Sequence, residues 1–295
     1  MNIVKNASPA DFPLKAGQNL ILAVPHHDDT ILGCGNFIIE AQMLGVLTTV
    51  TRCFVGCSRT NFFANYQEGL LSEEQIQQVT QARIEEDTFG CNDLFKGSYN
   101  WMQGILGEWD APIRGYSGPI TAGGGSWGDF STFRPEEIEM YKRLINQYMW
   151  MLEQENTIVL CLIANGSHVD HFNVREAMLH AAWLLGDNAN AQLVFVEDEP
   201  YTTANPAERY VEYSKLFDRS QGQLTGYGYA TRLGASGKTV MHEIFNNHYR
   251  TQWTQDYEDN LNKNVDFMYY VLDRSAYKTL TKDPSCTDSY CTLAV

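Results

Sequence analysis

Short apolar runs, each bounded by polar or turn-forming residues, restrict the fold of this chain more than any other feature. Three of them are NLILAV at 19–24, TIVLCLI at 157–163 and QLVFVE at 192–197. Runs of this kind are typical of strands that are covered on both faces of a sheet. VLTTVTRCFV at 46–55 is rich in β-branched residues and predicts a further strand.

Helical segments separate these runs. They are predicted at about 31–44, from Ser72 to about residue 95, at 134–156 and at 174–186. Ser72 is the expected N-cap of the second helix, and Gln75 can complete a capping box with it. Pro135 near the start of the third helix and Gly186 at the end of the fourth fit the usual positions of these residues. Strands that alternate with helices predict an α/β fold with a mainly parallel sheet.

The 295 residues are predicted to form a single domain, 1–295. A glycine-rich stretch without periodicity predicts a long loop at 107–133, and residues 256–295 are read as a C-terminal extension. The chain after the strand at 192–197 is expected to be mostly helical. The aromatic residues Trp109, Tyr116 and Trp127 make the long loop a candidate lid or pocket wall, and a disordered surface loop is the open alternative.

The charge of the chain excludes several classes of partner. With 21 Lys+Arg against 36 Asp+Glu, the net charge of −15 argues against nucleic acid and anionic membrane surfaces. No apolar run approaches the roughly 20 residues of a membrane span, and we find no export signal. Cys34, Cys53 and Cys161 lie in or beside apolar runs, which suits reduced, buried thiols. The predicted location is therefore the cytoplasm.

Two clusters of histidine and aspartate follow predicted strands. PHHDDTILGCG at 25–35 begins where the strand at 19–24 ends, and NGSHVDHFN at 165–173 begins just past the strand at 157–163. Ligands of open α/β sheets bind beyond the carboxyl ends of the strands, so both clusters should open at one edge. Because histidine and aspartate are good zinc ligands, the clusters predict a metal site there.

The clusters also contain the groups that metal-dependent hydrolysis needs. A catalytic zinc typically has three protein ligands and keeps one position for water, whose pKa it lowers to about 7. Hydrolysis further requires a carboxylate that accepts the proton of this water. It also requires a donor that stabilises the oxyanion or protonates the leaving amine.

Both clusters resemble the signatures of a known enzyme family. PHHDD at 25–29, followed by LGCG at 32–35, resembles the Pro-His-x-Asp-Asp signature of the PIG-L/LmbE-like N-deacetylases. HVDH at 168–171 looks like the second signature of that family, His-x-Asp-His. Members of the family are zinc-dependent and remove an acyl group, usually acetyl, from an amino sugar or a related amide. The resemblance implies a Rossmann-like, LmbE-like α/β fold in which helices flank a mainly parallel sheet. It spans about residues 19–255, which are therefore the predicted core of the domain.

Carried over to this sequence, the resemblance implies a metal site formed by His26, Asp29 and His171. It implies that Asp28 is the general base, one position before a ligand. His27 stands at the variable position of the first signature and is not assigned as a ligand.

The resemblance implies four further roles. His168 would be the electrophile or general acid near the scissile carbonyl, and Asp170 would hydrogen-bond a histidine and fix its tautomer. Arg83 resembles a family arginine that contacts substrate. Asp110 falls near a pocket carboxylate that can hydrogen-bond sugar hydroxyls.

The expected function is hydrolysis of a small-molecule N-acyl substrate, such as an N-acetylglucosamine derivative. Zn²⁺ is the expected cofactor, although two histidines and one aspartate also suit iron, cobalt or manganese. Two alternatives stay open: a thiol-conjugate amidase of the same family, and a non-catalytic sugar- or metal-binding protein with a vestigial site. Members of the family are often homo-oligomers, and the sequence leaves that open here.

Overall fold

A computed structural model describes residues 2–7, 11–57, 71–96, 98, 100–116, 129–199, 201, 206–229, 235–252, 259 and 268–286 of the chain. Its strands are β1 (Asn2–Ala7), β2 (Asn19–Val24), β3 (Leu47–Gly56), β4 (Trp101–Trp109), β5 (Thr157–Leu162), β6 (Gln192–Val196), β7 (Leu224–Tyr229) and β8 (Met268–Leu272). Its helices are α1 (Asp29–Leu32), α2 (Gly35–Met43), α3 (Glu73–Leu94), α4 (Ile138–Leu152), α5 (Val169–Leu185), α6 (Pro206–Arg219) and α7 (Ala235–His248).

The strands form one sheet in the order β1-β7-β8-β6-β5-β2-β3-β4. Neighbouring strands are parallel except at β8, which runs antiparallel to β6 and β7. The predicted α/β class with a mainly parallel sheet is therefore confirmed.

The central strands are covered on both faces, as their continuous apolar runs predict. In β2, Ile21 and Ala23 belong to a core on the side of α4 and α5, whereas Leu22 and Val24 belong to a core on the side of α2, α3 and α7. This sheet between two layers of helices is the Rossmann-like arrangement that the family resemblance implies.

Strands β2 and β5 are parallel neighbours, in a register that pairs Asn19 with Thr157 and Ala23 with Cys161. Strand β6 pairs with β5, and β4 is joined to β2 through β3, all in parallel. The segments that follow β2, β4, β5 and β6 therefore leave the sheet at the same edge, where ligands of such sheets bind.

Two helix predictions can be compared directly. The helix predicted at 31–44 is instead the short α1 followed by α2, because the chain breaks at Gly33 and Cys34. A Cβ atom at Gly33 would lie 2.6 Å from Cδ2 of Leu162, so glycine allows this segment to approach β5. Helix α3 carries the predicted capping box of Ser72 and Gln75.

Other predictions of secondary structure were wrong. Strand β4 was missed, so the loop predicted at 107–133 begins only after Trp109; its residues 117–128, including Trp127, lie outside the described residues. Strands β7 and β8 lie in the part expected to be mostly helical. The sheet also extends beyond the predicted core of 19–255, into β1 and β8.

The predicted character of the cysteines is confirmed where the structure describes them. Cys34, Cys53 and Cys161 are buried and free, as are Cys57 and Cys91, whereas Cys286 is disulfide-bonded. None of the described helices combines the length and the apolar character that crossing a bilayer would require.

Candidate metal centre

The first cluster occupies the turn between β2 and α1. His26 lies two residues past the end of β2, and Asp29 is the first residue of α1, where a carboxylate suits the helix N-terminus. The backbone N–H of His26 donates a hydrogen bond of 2.8 Å to Oδ2 of Asp29. This bond holds both residues in one compact turn.

The second cluster begins with a tight turn after β5. Ala164 has a φ of 65° and Gly166 a φ of 78°, so the chain reverses within a few residues before α5 starts at Val169. His168 is the N-cap of α5, and its Nδ1 accepts a hydrogen bond of 3.2 Å from the backbone N–H of Asp170. The first turn of α5 then places His171 against His26, with ring centroids 5.2 Å apart.

Three donor atoms from the two clusters form a nearly equilateral triangle. Nδ1 of His26 lies 3.4 Å from Oδ2 of Asp29 and 3.3 Å from Nε2 of His171, and the last two atoms are 3.5 Å apart. Ligands bound tetrahedrally at about 2.0–2.1 Å are separated by about 3.3–3.4 Å. The three side chains therefore have the spacing of one face of a tetrahedral zinc site.

Each histidine of the triangle contacts a carboxylate through the ring nitrogen that is not part of the triangle. Nε2 of His26 lies 2.9 Å from Oδ2 of Asp170, and Nδ1 of His171 lies 2.5 Å from Oδ1 of Asp198. A ring that donates its outer N–H to a carboxylate presents its other nitrogen as a lone pair. This carboxylate–histidine pairing is the usual support of a metal ligand.

The electrostatics of the triangle favour a cation. Burial acts to lower the pKa of His26, but its bonds to Asp170 and Asp29 raise it to about 10. Burial acts to raise the pKa of Asp29, but His171 and His26 lower it to about 2. Because the surrounding carboxylates stabilise positive charge at this point, the donor set and its charge both fit a divalent metal.

Among the described residues, a second group of possible ligands is formed by His26, His168 and Asp170. In this group both carboxylate oxygens of Asp170 already contact other protein groups. Oδ1 of Asp170 lies 2.7 Å from the Arg114 guanidinium, and Oδ2 accepts a bond of 2.9 Å from the backbone N–H of Ala111 as well as the bond with His26. The triangle of His26, Asp29 and His171 is therefore the candidate metal site.

Asp28 lies beside the triangle and is paired with an arginine. Oδ1 of Asp28 is 3.3 Å from the guanidinium of Arg83, and the same guanidinium nitrogen donates to Oε1 of Gln252. All three residues are buried. The structure thus brings the predicted base next to a metal ligand, and it places the predicted substrate-binding Arg83 against that base.

The other predicted site residues lie at the same edge of the sheet. The His168 ring is 5.1 Å from the rings of both His26 and His171, and burial lowers the pKa of His168 well below its usual value. Asp110 is buried directly after β4, and the N–H of the next residue, Ala111, binds Asp170.

His27 turns away from the cluster. Its Nδ1 lies 3.5 Å from Oδ2 of Asp87, and its Nε2 lies 3.4 Å from the carbonyl oxygen of Val55.

Two residues of the site were missed in the sequence. Asp198 follows β6, the strand next to β5, so an acid at the carboxyl end of a neighbouring strand was a usable signal. Arg114 gave no such signal, because it lies in a loop and its contact with Asp170 joins residues far apart in the chain.

No protein-family model and no curated protein matches the sequence. Solved structures do match. One is the A40926 pseudoaglycone deacetylase, at 17% identity over 86% of this chain and 96% of that chain, with a TM-score of 0.55. Others are the zinc-inhibited form of teicoplanin deacetylase, at 14% identity over 86% and 98% with a TM-score of 0.57, and a deacetylase–teicoplanin complex, at 14% identity over 90% and 100% with a TM-score of 0.57.

These neighbours are LmbE/PIG-L-type deacetylases, and the likeness extends over nearly their full length. At identities of 14–17% it establishes the shared fold. The LmbE-like architecture predicted from the two signatures is therefore confirmed.

Proposed function

We propose that this chain is a metal-dependent N-deacetylase, a hydrolase that removes an acyl group from an amino sugar or a related small molecule. The observation that carries the proposal is the triangle of His26, Asp29 and His171, with the proposed catalytic residues Asp28 and His168 beside it. The shared fold of solved deacetylases supports it.

A zinc ion held by these three residues would activate a water molecule and polarise the amide carbonyl. Asp28 is our general base. Its ion pair with Arg83 uses Oδ1, so Oδ2 is the atom that we assign to accept the proton. Arg83 holds the carboxylate in place, so that Oδ2 can face the metal-bound water.

His168 is our electrophile, the group that hydrogen-bonds the carbonyl oxygen. Because the N–H of Asp170 donates to its Nδ1, a neutral ring carries its proton on Nε2. Burial keeps the ring neutral at pH 7. Nε2–H can then donate a hydrogen bond to the oxygen that becomes negative, and Asp28, once it has taken the proton of the water, can pass that proton to the leaving amine.

The substrate class follows from chemistry around the centre and from the neighbours. Asp110 would accept hydrogen bonds from hydroxyl groups of an amino sugar such as N-acetylglucosamine. Arg83 would contact the substrate from the same side as Asp28. One structural neighbour was solved as a deacetylase–teicoplanin complex, which supports an amino-sugar conjugate as an alternative to a free sugar.

The test is acetate release from a panel of N-acetylglucosamine derivatives and N-acyl thiol conjugates by the zinc-loaded protein. Asp28→Asn should reduce the turnover number by about 10²- to 10⁴-fold, because it removes the proton acceptor. Asp187→Asn is the matched control, since this exposed carboxylate pairs with Lys278 far from the centre, and it should leave turnover unchanged.

Activity on thiol conjugates alone would favour the amidase alternative. A wild type that is inert on every amide of the panel, or an Asp28→Asn variant as active as wild type, would contradict the proposal. The cytoplasmic location, the single domain and self-association stay predictions, which fractionation, limited proteolysis and sedimentation can test.

A further inference from the structure

Arg114 lies behind the metal triangle and contacts three different parts of the fold. Its Nε donates to Oε1 of Glu137 at 2.6 Å, and one terminal nitrogen donates to the carbonyl oxygen of Trp109 at 2.6 Å. The other terminal nitrogen lies 2.7 Å from Oδ1 of Asp170. The guanidinium carbon lies 4.7 Å from the centre of the Phe54 ring, within cation–π distance.

Asp170 joins this arginine to a proposed metal ligand. One of its oxygens meets Arg114, and the other meets Nε2 of His26 and the N–H of Ala111. The Asp170 side chain is fully buried, so its carboxylate depends on these partners for stabilisation. Of these three partners, Arg114 is the one that carries a permanent positive charge and is not itself a proposed metal ligand.

The shape of the arginine matters as well as its charge. A guanidinium offers donors in three fixed directions in one plane, whereas an ammonium group is a point charge on a flexible stem. Here Nε and one terminal nitrogen donate hydrogen bonds to the turn before α4 and to the end of β4, and the other terminal nitrogen forms an ion pair with Asp170 at the start of α5. The anchors at Trp109 and Glu137 therefore fix where the positive charge meets Asp170.

We infer that Arg114 is a positioning residue of the metal centre, which acts through Asp170 to hold the His26 ring with Nδ1 turned toward Asp29 and His171. The inference rests on the proposed metal-dependent function. It predicts that Arg114 contributes to metal affinity although its guanidinium lies on the far side of Asp170 from His26. Supporting partners of metal-binding histidines typically change affinity by about 10- to 100-fold when they are removed.

The experiment measures zinc affinity by competition with a chromophoric chelator, using full-length protein and no substrate. Arg114→Gln should weaken zinc binding by about 10- to 100-fold. Arg114→Lys restores the charge without the fork, so its affinity should lie between those of wild type and Arg114→Gln. Arg143→Gln is the matched control. This exposed arginine donates two hydrogen bonds to Glu108, and its loss should leave zinc affinity within about twofold.

A double-mutant cycle tests whether Arg114 acts through Asp170. Asp170→Asn alone should weaken zinc binding, and adding Arg114→Gln to it should weaken binding by no more than about twofold further. The neutral amide that replaces the Asp170 carboxylate does not need a cation beside it. The double variant can therefore be compared with Asp170→Asn even if Arg114→Gln alone does not fold. The visible spectrum of the cobalt-loaded protein should change in Arg114→Gln and not in Arg143→Gln.

Three results would overturn the inference. The first is a folded Arg114→Gln variant that binds zinc as tightly as wild type. The second is an Arg114→Lys variant no better than Arg114→Gln. The third is a full additional loss on adding Arg114→Gln to Asp170→Asn. Failure of the proposed function is a separate outcome, because it appears as absent acetate release while the zinc affinities can still follow the predicted pattern.

Discussion

Replacement of Asp198 by Asn should weaken zinc binding although Asp198 is not one of the three proposed ligands. Its carboxylate accepts two hydrogen bonds, at Oδ1 from Nδ1 of His171 and at Oδ2 from the backbone N–H of Asn165, at 2.9 Å. An amide has one acceptor oxygen, so either the histidine or the backbone N–H loses its acceptor in a fully buried position.

The size of the effect can be worked out in two ways. A buried donor without an acceptor costs about 1–3 kcal/mol. Loss of the partner of a metal-binding histidine typically lowers metal affinity by about 10- to 100-fold, which corresponds to about 1.4–2.7 kcal/mol. The two estimates agree, so we expect the zinc dissociation constant to rise by about one to two orders of magnitude.

The neighbouring residue provides a matched control. Glu197 is also fully buried, but its Oε1 accepts a hydrogen bond of 2.8 Å from the hydroxyl group of Tyr270. Glu197→Gln makes the same chemical change one residue away, and it should lower stability without changing the zinc affinity of the folded protein. Chelator competition measures both variants. Equal affinities of Asp198→Asn and wild type, or equal losses in the two variants, would refute the reasoning.

Three further predictions concern stability and can be checked by urea denaturation. Ser72→Ala removes the capping box of α3 and should lower the free energy of unfolding by about 0.5–2 kcal/mol. An unchanged free energy of unfolding would show that the cap does not stabilise the fold. Gly33→Ala places a Cβ atom 2.6 Å from Leu162, so it should destabilise by about 1–3 kcal/mol, and a neutral result would contradict the close approach of α1 to β5. Burial acts to raise the pKa of Glu212, but Arg175 and Lys215 lower it below its usual value of 4.5. The ionised carboxylate therefore contributes its full stabilisation of the folded protein above pH 4.5. This contribution is lost as the pH falls through the lower pKa that Glu212 has in the folded protein. The difference in unfolding free energy between wild type and Glu212→Gln should therefore shrink on acidification, and a difference that grows would reverse the assigned direction.

The central strands were predictable because burial on both faces leaves a plain pattern. Strand β2 has the bounds predicted for it, and β5 ends within one residue of its prediction. Strand β4 lacks that pattern, because it lies at the edge of the sheet with five of its nine residues exposed. Strand β8 is a short buried apolar run, and such a run does not distinguish a strand from a segment of a buried helix.

In the site, too, the residues of local motifs could be predicted, whereas the residues that contact them from distant parts of the chain could not. The positions of His26, Asp29 and His171 follow from two local motifs and from the parallel pairing of β2 with β5. The partners behind the ligands come from elsewhere in the chain. Arg114 meets Asp170 only because β4 and α5 converge at one edge, and no local pattern around Arg114 encodes that convergence.

The central claim is that His26, Asp29 and His171 together hold one divalent ion. Equilibrium dialysis of the metal-free protein against zinc tests it most directly, with wild type beside Asp29→Ala and with circular dichroism to confirm that the variant is folded. The account predicts one tightly bound zinc per wild-type chain and none per folded Asp29→Ala chain. A wild type that binds no zinc, or a variant that binds it as tightly as wild type, would contradict it.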